Sequence, residues 1–362
     1  MDTPQDFLVY VGTYTTQGST GIYTYRLDMS SGALTPAGQA TATVNPSFLV
    51  IHPQRHTLYA VSEVDELAGR PGGAVSAFAI DAQSGELSFL NRQLAHGAAP
   101  CHLCIDQSGR FVIVANYNSG SAAMLPIQAD GRLGEATDVV QHHGAGADPE
   151  RQAGPHAHSV TIDLANRYAL IADLGLDKIM VYQLDLAQGK LRPHGQASLH
   201  AGAGPRHLAF HPNGQYLYAI NELDSTMTVF AYDRGALERR QSLSTLPPDF
   251  EGTSYCADIH VSQCGRFLYG SNRGHDSIVI FEIDRQTGRL SCVGYEPTRG
   301  SFPRNFAIDP SGAFLLAANQ NTGNIVTWRI DRQTGQLTPT GHEVQVSMPV
   351  CLKFMPRVSG HT

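Results

Sequence analysis

Side chains able to move protons and hold anions return at one place in a repeating pattern along this chain. Ser47, Cys101 and His102, His156 and His158, Arg206 and His207, Asp258 and His260, and Arg304 and Asn305 each stand where a short apolar run begins. Ser62 and Glu63, Asn116 and Tyr117, Asp173, Asn221 and Glu222, Asn272 and Arg273, and Asn319 and Gln320 each stand where the following run ends. Imidazoles titrate near neutral pH and serve as bases. Guanidiniums present planar pairs of N–H donors that match carboxylates and phosphates, and fixed donors of this kind stabilise oxygen charge that develops in a reaction. The residue types therefore point to proton transfer beside an anion-holding pocket, provided the fold gathers them from distant parts of the chain.

The runs themselves supply that gathering. A proline, a short apolar strand, an aromatic-rich strand and a third strand ending in Asp return with a period of about fifty residues, the length of a four-stranded propeller blade. Copies open at Pro46, Pro100, Pro155, Pro205, Ala257, Pro303 and Pro349. In the fourth, Pro205-Arg206-His207-Leu208-Ala209-Phe210 leads to Tyr216-Leu217-Tyr218-Ala219-Ile220-Asn221 and then to Thr228-Val229-Phe230-Ala231-Tyr232-Asp233. Val, Ile, Tyr and Phe in short runs between Gly-containing turns read as antiparallel strands, and no stretch keeps a helical period. After Pro349 one strand remains, Val350 to Met355, while Phe7 to Gly12 begins at the second-strand position. The N-terminal strands are thus predicted to pair with the C-terminal strand, completing a seventh blade and leaving no open sheet edge. The expected fold is all-β, a single seven-bladed propeller domain over residues 1–362 with four-stranded antiparallel blades. Since successive strands run antiparallel, the starts of first strands and the ends of second strands share one end of a blade. Both sets of residues are predicted to ring one mouth of the central channel.

Composition narrows the partners. The 362 residues carry a net charge of −7 with no basic stripe, which excludes nucleic acid and an anionic membrane surface as main partners. Met1 to Asp6 lacks a basic leader region and no apolar run reaches membrane length, so a cytoplasmic location is expected. The six cysteines fall in or beside strands and read as reduced thiols; Cys101-His102-Leu103-Cys104 lies along one strand, where neighbours point to opposite faces. Oligomeric state is left open by the sequence.

Several polar residues belong to the scaffold. Asn116, Asn221, Asn272 and Asn319 share one repeat position and read as hairpin caps. His211 and His52 precede prolines at the position of Asp106, Asp163 and Asp309, so they read as turn residues. His142, His143, His194, His200 and His342 fall in variable loops and are expected to be solvated. Residues that differ between blades at a shared position are not demanded by the fold, and these carry the functional expectation: His158, Arg206 and Glu222 first, then His207, His260, Arg273 and Arg304.

An ordered set of motifs adds to this. Pro149-Glu150-Arg151-Gln152, Gly154-Pro155-His156-Ala157-His158-Ser159, Ala172-Asp173-Leu174-Gly175, Gly202-Ala203-Gly204-Pro205-Arg206-His207, Asn221-Glu222-Leu223 and Ala257-Asp258-Ile259-His260 resemble those of the lactonase family of seven-bladed propellers. That family includes bacterial propeller-type 6-phosphogluconolactonases and fungal 3-carboxy-cis,cis-muconate lactonising enzymes. The resemblance implies a catalytic group of His158, Arg206 and Glu222 with a further arginine at Arg273 or Arg304. It also implies an anionic sugar lactone as substrate, 6-phosphoglucono-1,5-lactone first, with muconate lactonisation or hydrolysis of another sugar-acid lactone as alternatives. For such hydrolysis His158 or Glu222 would activate water, and Arg206 or His207 would face the oxyanion. Arg273 or Arg304 would hold the anion, with His156, Asp258 and His260 completing the substrate contacts.

Other chemistries lack their motifs: the chain has no Gly-x-Ser-x-Gly elbow, P-loop or His-Glu-x-x-His. His156 and His158 are spaced to share a metal with Glu222 or Asp173, but other blades offer no matching ligands, so neither metal nor cofactor is expected. The rival reading is a propeller that only binds protein or carbohydrate, although the distinctive residues sit at the channel mouth rather than on the outer surface.

Overall fold

The period of the sequence is a period of blades. The computed structural model describes residues 6–357, which form seven antiparallel sheets around one axis. We number the blades by their inner strands: Leu49–Ile51, Pro100–Ile105, Ala157–Ile162, Pro205–Phe210, Tyr255–Val261, Pro303–Ile308 and Pro349–Pro356. Each inner strand packs against the inner strands of both neighbours, so the ring closes on itself. In blade 7 the C-terminal strand pairs with Asp6–Thr13, which pairs in turn with Gly21–Asp28 and that with Leu34–Pro36. This is the predicted closure by the N-terminal strands, and it covers what would otherwise be a free edge. Two additions were not visible in the repeat: a small hairpin, Glu66–Leu67 with Arg70–Pro71, and a short pairing of Thr41–Ala42 along the edge of blade 7. Leu174–Leu176 forms one 3₁₀ turn, the sole helical element among the described residues. Residues 1–5, on which the reading of the leader partly rested, lie outside the described residues. No described helix is long and apolar enough to cross a membrane.

Second strands explain the aromatic repeat. Thr57–Ser62, Phe111–Asn116 and Phe314–Asn319 are buried along their whole length, because each is covered on both faces by adjacent blades. Four of these strands carry a fully buried tyrosine whose hydroxyl donates to a glycine carbonyl of the next blade: Tyr10 to Gly85, Tyr59 to Gly131, Tyr218 to Gly288 and Tyr269 to Gly335. Those glycines have φ between 70° and 85°, which a side chain would strain. Each tyrosine thus buries a ring and satisfies its hydroxyl at one inter-blade seam. His52 and His211 act as the turn residues they were read to be, and their Nε2 atoms bond Gly109 and Gly265 of the next blade. Asn116, Asn221, Asn272 and Asn319 are fully buried and bond hairpin and loop groups such as Ala95 O, Thr226 Oγ1, Thr245 O and Thr298 O.

The inner strands contain the device that aims the site. In blades 2, 3, 4 and 6 the pairing slips by one residue near the strand start, leaving Cys101, His158, Arg206 and Arg304 as the extra residue of a bulge. In blade 5 the slip spans Ala257 and Asp258. A bulge sets two residues against one partner and turns the extra side chain out of the alternation. Arg206 and His207 can therefore both serve the channel, which a regular strand would forbid.

Candidate active site

Glu222, at the end of the second strand of blade 4, collects three guanidiniums. Its Oε2 lies 3.0 Å from Arg206 Nε and 2.7 Å from Arg273 Nη2, and its Oε1 lies 2.7 Å from Arg151 Nη2. Burial alone would raise the carboxyl's pKa, but Arg273, Arg206 and Arg151 outweigh it and hold Glu222 ionised far below the carboxylate range. Arg206 is buried, and burial followed by repulsion from Arg273 and Arg304 brings its pKa down to about 10, which still leaves it charged at neutral pH. Its Nη1 donates to Ala257 O at 2.6 Å and to His207 Nε2 at 3.2 Å, while Nη2 has no acceptor among the described residues. Arg273 is tied further to Tyr255 O and Cys256 O.

Across the mouth a second hydrogen-bond network holds Arg304. Its Nη2 donates to Tyr14 Oη at 2.8 Å, and its guanidinium lies over the Tyr14 ring. Tyr14 donates to Glu63, which also accepts from Ser47. Burial works against the charge of Arg304, but Tyr14 and Glu63 more than compensate and raise its pKa. Within these two networks four arginines face two glutamates, an excess of guanidinium over carboxylate in a chain of net charge −7, with Asp258 on the floor and Asp173 at the rim as the nearest further carboxylates.

His158 stands between these networks, acted on by Arg206 and Arg273 from one and Arg304 from the other. It is 4% exposed, and burial, then Arg206, push its pKa well below 6.5, so the imidazole is neutral at neutral pH. Its ring meets His207 edge to face at 5.4 Å and Tyr117 at 5.4 Å. Among the described residues its Nδ1 has only the Cys101 sulfur at 4.0 Å, and its Nε2 makes no hydrogen bond. His156 lies nearer the rim, stacked on Tyr117 at 4.5 Å, with Nδ1 3.0 Å from Tyr117 O.

Under the arginines a layer of rings crosses the channel. Phe48 packs on His102 at 4.0 Å, and His102 meets His207 at 5.2 Å. His207 donates through Nδ1 to Asp258 at 2.8 Å, and Asp258 also lies 3.1 Å from His260 Nε2. Below this layer a cavity of about 510 Å3 continues toward the opposite mouth, lined by Val50, Ile105, Ala209, Val261 and Lys353 among others.

The predicted residues are thus placed at three depths. His158, Arg206, Glu222, Arg273 and Arg304 converge at the mouth; His156 stands at the rim; His207 and Asp258 form the floor. His260 opens on the lower cavity and packs on Phe306 at 4.8 Å, away from the arginines. Its Nε2 reaches back to Asp258 Oδ2 at 3.1 Å, so it adjoins the floor from the cavity side. His142 is corrected: it is buried rather than solvated, with Nδ1 2.6 Å from Asp173 Oδ2. Asp173 Oδ1 accepts from the His156 backbone, so it fixes the approach to His158. With Asp173 and Glu222 so engaged, the metal set weighed for His156 and His158 does not assemble, and the described residues contain no cluster of three such ligands.

Tyr14 and Arg151 were missed. Tyr14 occupies the slot of Glu63, Glu222 and Arg273 in the split blade, so continuing the repeat across the chain ends would have found it. Arg151 comes from the loop between blades 2 and 3, outside the repeat, and only the quoted motif marked it. Its loop is held by Gln152, fully buried, whose Nε2 bonds Leu174 O and Asp177.

The sequence profile of the family described as "Lactonase, 7-bladed beta-propeller" matches residues 8–354. A 6-phosphogluconolactonase of Bacillus subtilis is 41% identical over 354 residues, covering 97% of this chain and 99% of that protein. A 6-phosphogluconolactonase of Formosa agariphila is 37% identical, covering 84% and 86%. The crystal structure of a periplasmic gluconolactonase of Pseudomonas aeruginosa superposes with a TM-score of 0.92 at 33% identity, covering 98% and 100%.

Proposed function

The chain belongs to the lactonase family of seven-bladed β-propellers, and from that premise we propose that it opens 6-phosphoglucono-1,5-lactone to 6-phosphogluconate. The observation that carries the reading is the gathering of four guanidiniums at a mouth that also holds a neutral imidazole. His158 Nε2 takes a proton from water as the water oxygen attacks the lactone carbonyl carbon. Carbonyl electrons move onto oxygen, where Arg206 Nη2 donates to the oxyanion. Collapse restores the carbonyl and breaks the bond from the acyl carbon to the ring oxygen, which takes the proton back from His158.

Glu222 acts through others in this account. Its oxygens are engaged by three arginines, so it positions Arg206 and Arg273 and leaves proton transfer to His158. Among the described residues Arg304 has no acceptor for Nε and Nη1, and it is the guanidinium best placed to hold phosphate, with Arg151 at the rim. A phosphate of about two negative charges offsets the guanidinium charge of Arg206, Arg304 and Arg273 on His158, easing its protonation in the reaction. His156 contacts the sugar from the rim.

The reading treats residues 1–362 as one domain, since the site draws on all seven blades. It needs no cofactor, nucleic acid or membrane partner. A cytoplasmic location follows from the substrate, because a phosphate ester does not leave the compartment where it forms. Hydrolysis in ¹⁸O-water tests the route: enzyme-dependent product is expected to carry one ¹⁸O, in its carboxylate. Label at the sugar hydroxyl, or a cyclised product, would overturn it.

A further inference from the structure

Arg206 Nη1 donates to a ring nitrogen of His207, Nε2, at 3.2 Å. A guanidinium has no lone pair to offer, so Nε2 must be the unprotonated nitrogen of that ring. The proton of the neutral imidazole then sits on Nδ1, which donates to Asp258 Oδ1 at 2.8 Å. Asp258 accepts throughout: from the Ile259 backbone at 2.9 Å, from His260 Nε2 at 3.1 Å and from Asn305 Nδ2. Asn305 is fixed in turn by the Leu352 backbone, which donates to its Oδ1 at 2.7 Å. One hydrogen-bonded network thus joins blades 4, 5, 6 and 7, and its polarity is set by an ionised carboxylate at the centre.

We propose that Asp258 and His207 are positioning residues: they fix the His207 tautomer that accepts from Arg206, and so aim the free Nη2 of Arg206 at the lactone carbonyl. The proposal rests on Arg206 acting as the oxyanion donor. It replaces direct substrate contact for this pair, because both side chains are spent on each other and on Arg206. The logic is that of an aspartate ordering a histidine in hydrolytic triads, with a guanidinium at the end of the line in place of a nucleophile.

Asp258→Asn presents an amide that can donate to Nδ1, which moves the imidazole proton to Nε2 and sets it against the Arg206 N–H. The expected result is a fall in kcat of about 10²-fold with KM nearly unchanged, since phosphate binding lies with Arg304. His207→Gln, whose Oε1 can accept from Arg206, retains most of kcat; His207→Leu falls as Asp258→Asn does. Should Asp258→Asn fail to fold, the two His207 variants decide. Selective ¹⁵N-histidine NMR of the unliganded wild type is expected to show a neutral His207 with its proton on Nδ1 from pH 5.5 to 8. A proton on Nε2, or wild-type kcat in His207→Leu, overturns the proposal. The tautomer is read without substrate, so a wrong substrate assignment would leave that result standing.

Discussion

Arg273 Nη2 lies 2.7 Å from Glu222 Oε2, joining the second strands of blades 4 and 5 across the seam that also carries Arg206. The pair is nearly solvent-free, with side chains 5% and 8% exposed. A carboxylate so held is a poor proton acceptor, and its removal leaves buried guanidiniums facing each other. Glu222→Gln is therefore expected to lose about 3–5 kcal/mol of stability, with activity falling alongside. The urea midpoint with a parallel rate assay checks this. An inactive Glu222→Gln of wild-type stability would return the proton-transfer role to Glu222.

Arg304 and Arg273 separate by what already occupies them. Arg273 spends Nε and Nη2 on Tyr255 O, Cys256 O and Glu222, whereas Arg304 has one hydrogen-bond partner among the described residues, Tyr14. Arg304→Lys is expected to raise KM for the phosphorylated lactone about 10- to 100-fold, the worth of a charged hydrogen bond, with kcat little changed. Steady-state kinetics on phosphorylated and unphosphorylated lactones reads it: an equal effect on both would remove the phosphate from Arg304.

The buried histidines make stability depend on pH. His102, His158 and His207 all have lowered pKa values, with burial the first cause in each; for His207 the value is about 4. The unfolded chain therefore binds protons before the folded one does, and stability rises with pH across the interval. It is complete above about pH 6.5 and is lost as pH falls toward the folded values, at about 1.4 kcal/mol per pH unit for each histidine. Glu222 and Asp258, held below ordinary values by their cationic and N–H partners against burial, add a further loss only near pH 4 and below. Urea midpoints between pH 7.5 and 4.5 should fall steadily from about 6.5; a flat profile would contradict neutral burial of these rings.

Strand count, blade boundaries and ring closure were legible because the period repeats what every blade needs: an apolar inner strand, a second strand buried on both faces, and a turn with glycine. Residues that the fold gathers at the mouth were legible where they departed from that repeat, as Arg206, Glu222 and His158 do. Depth along the channel was not. His260 shares blade and chemistry with Asp258, yet the bulge at Ala257 and Asp258 sets which side chains turn to the mouth, and a bulge is a matter of register that a single strand's sequence does not state. His142 was misplaced for a related reason: its partner Asp173 lies 31 residues away, and loop composition carries no trace of that contact.

The most direct test is the initial rate of opening of freshly made 6-phosphoglucono-1,5-lactone, corrected for spontaneous hydrolysis, by wild type and His158→Gln with EDTA present. The account predicts a large wild-type rate unaffected by EDTA, a much smaller one on unphosphorylated gluconolactone, and loss of about 10²-fold or more in His158→Gln with folding intact. A His158→Gln protein as fast as wild type, or wild type that prefers the unphosphorylated lactone, would contradict it.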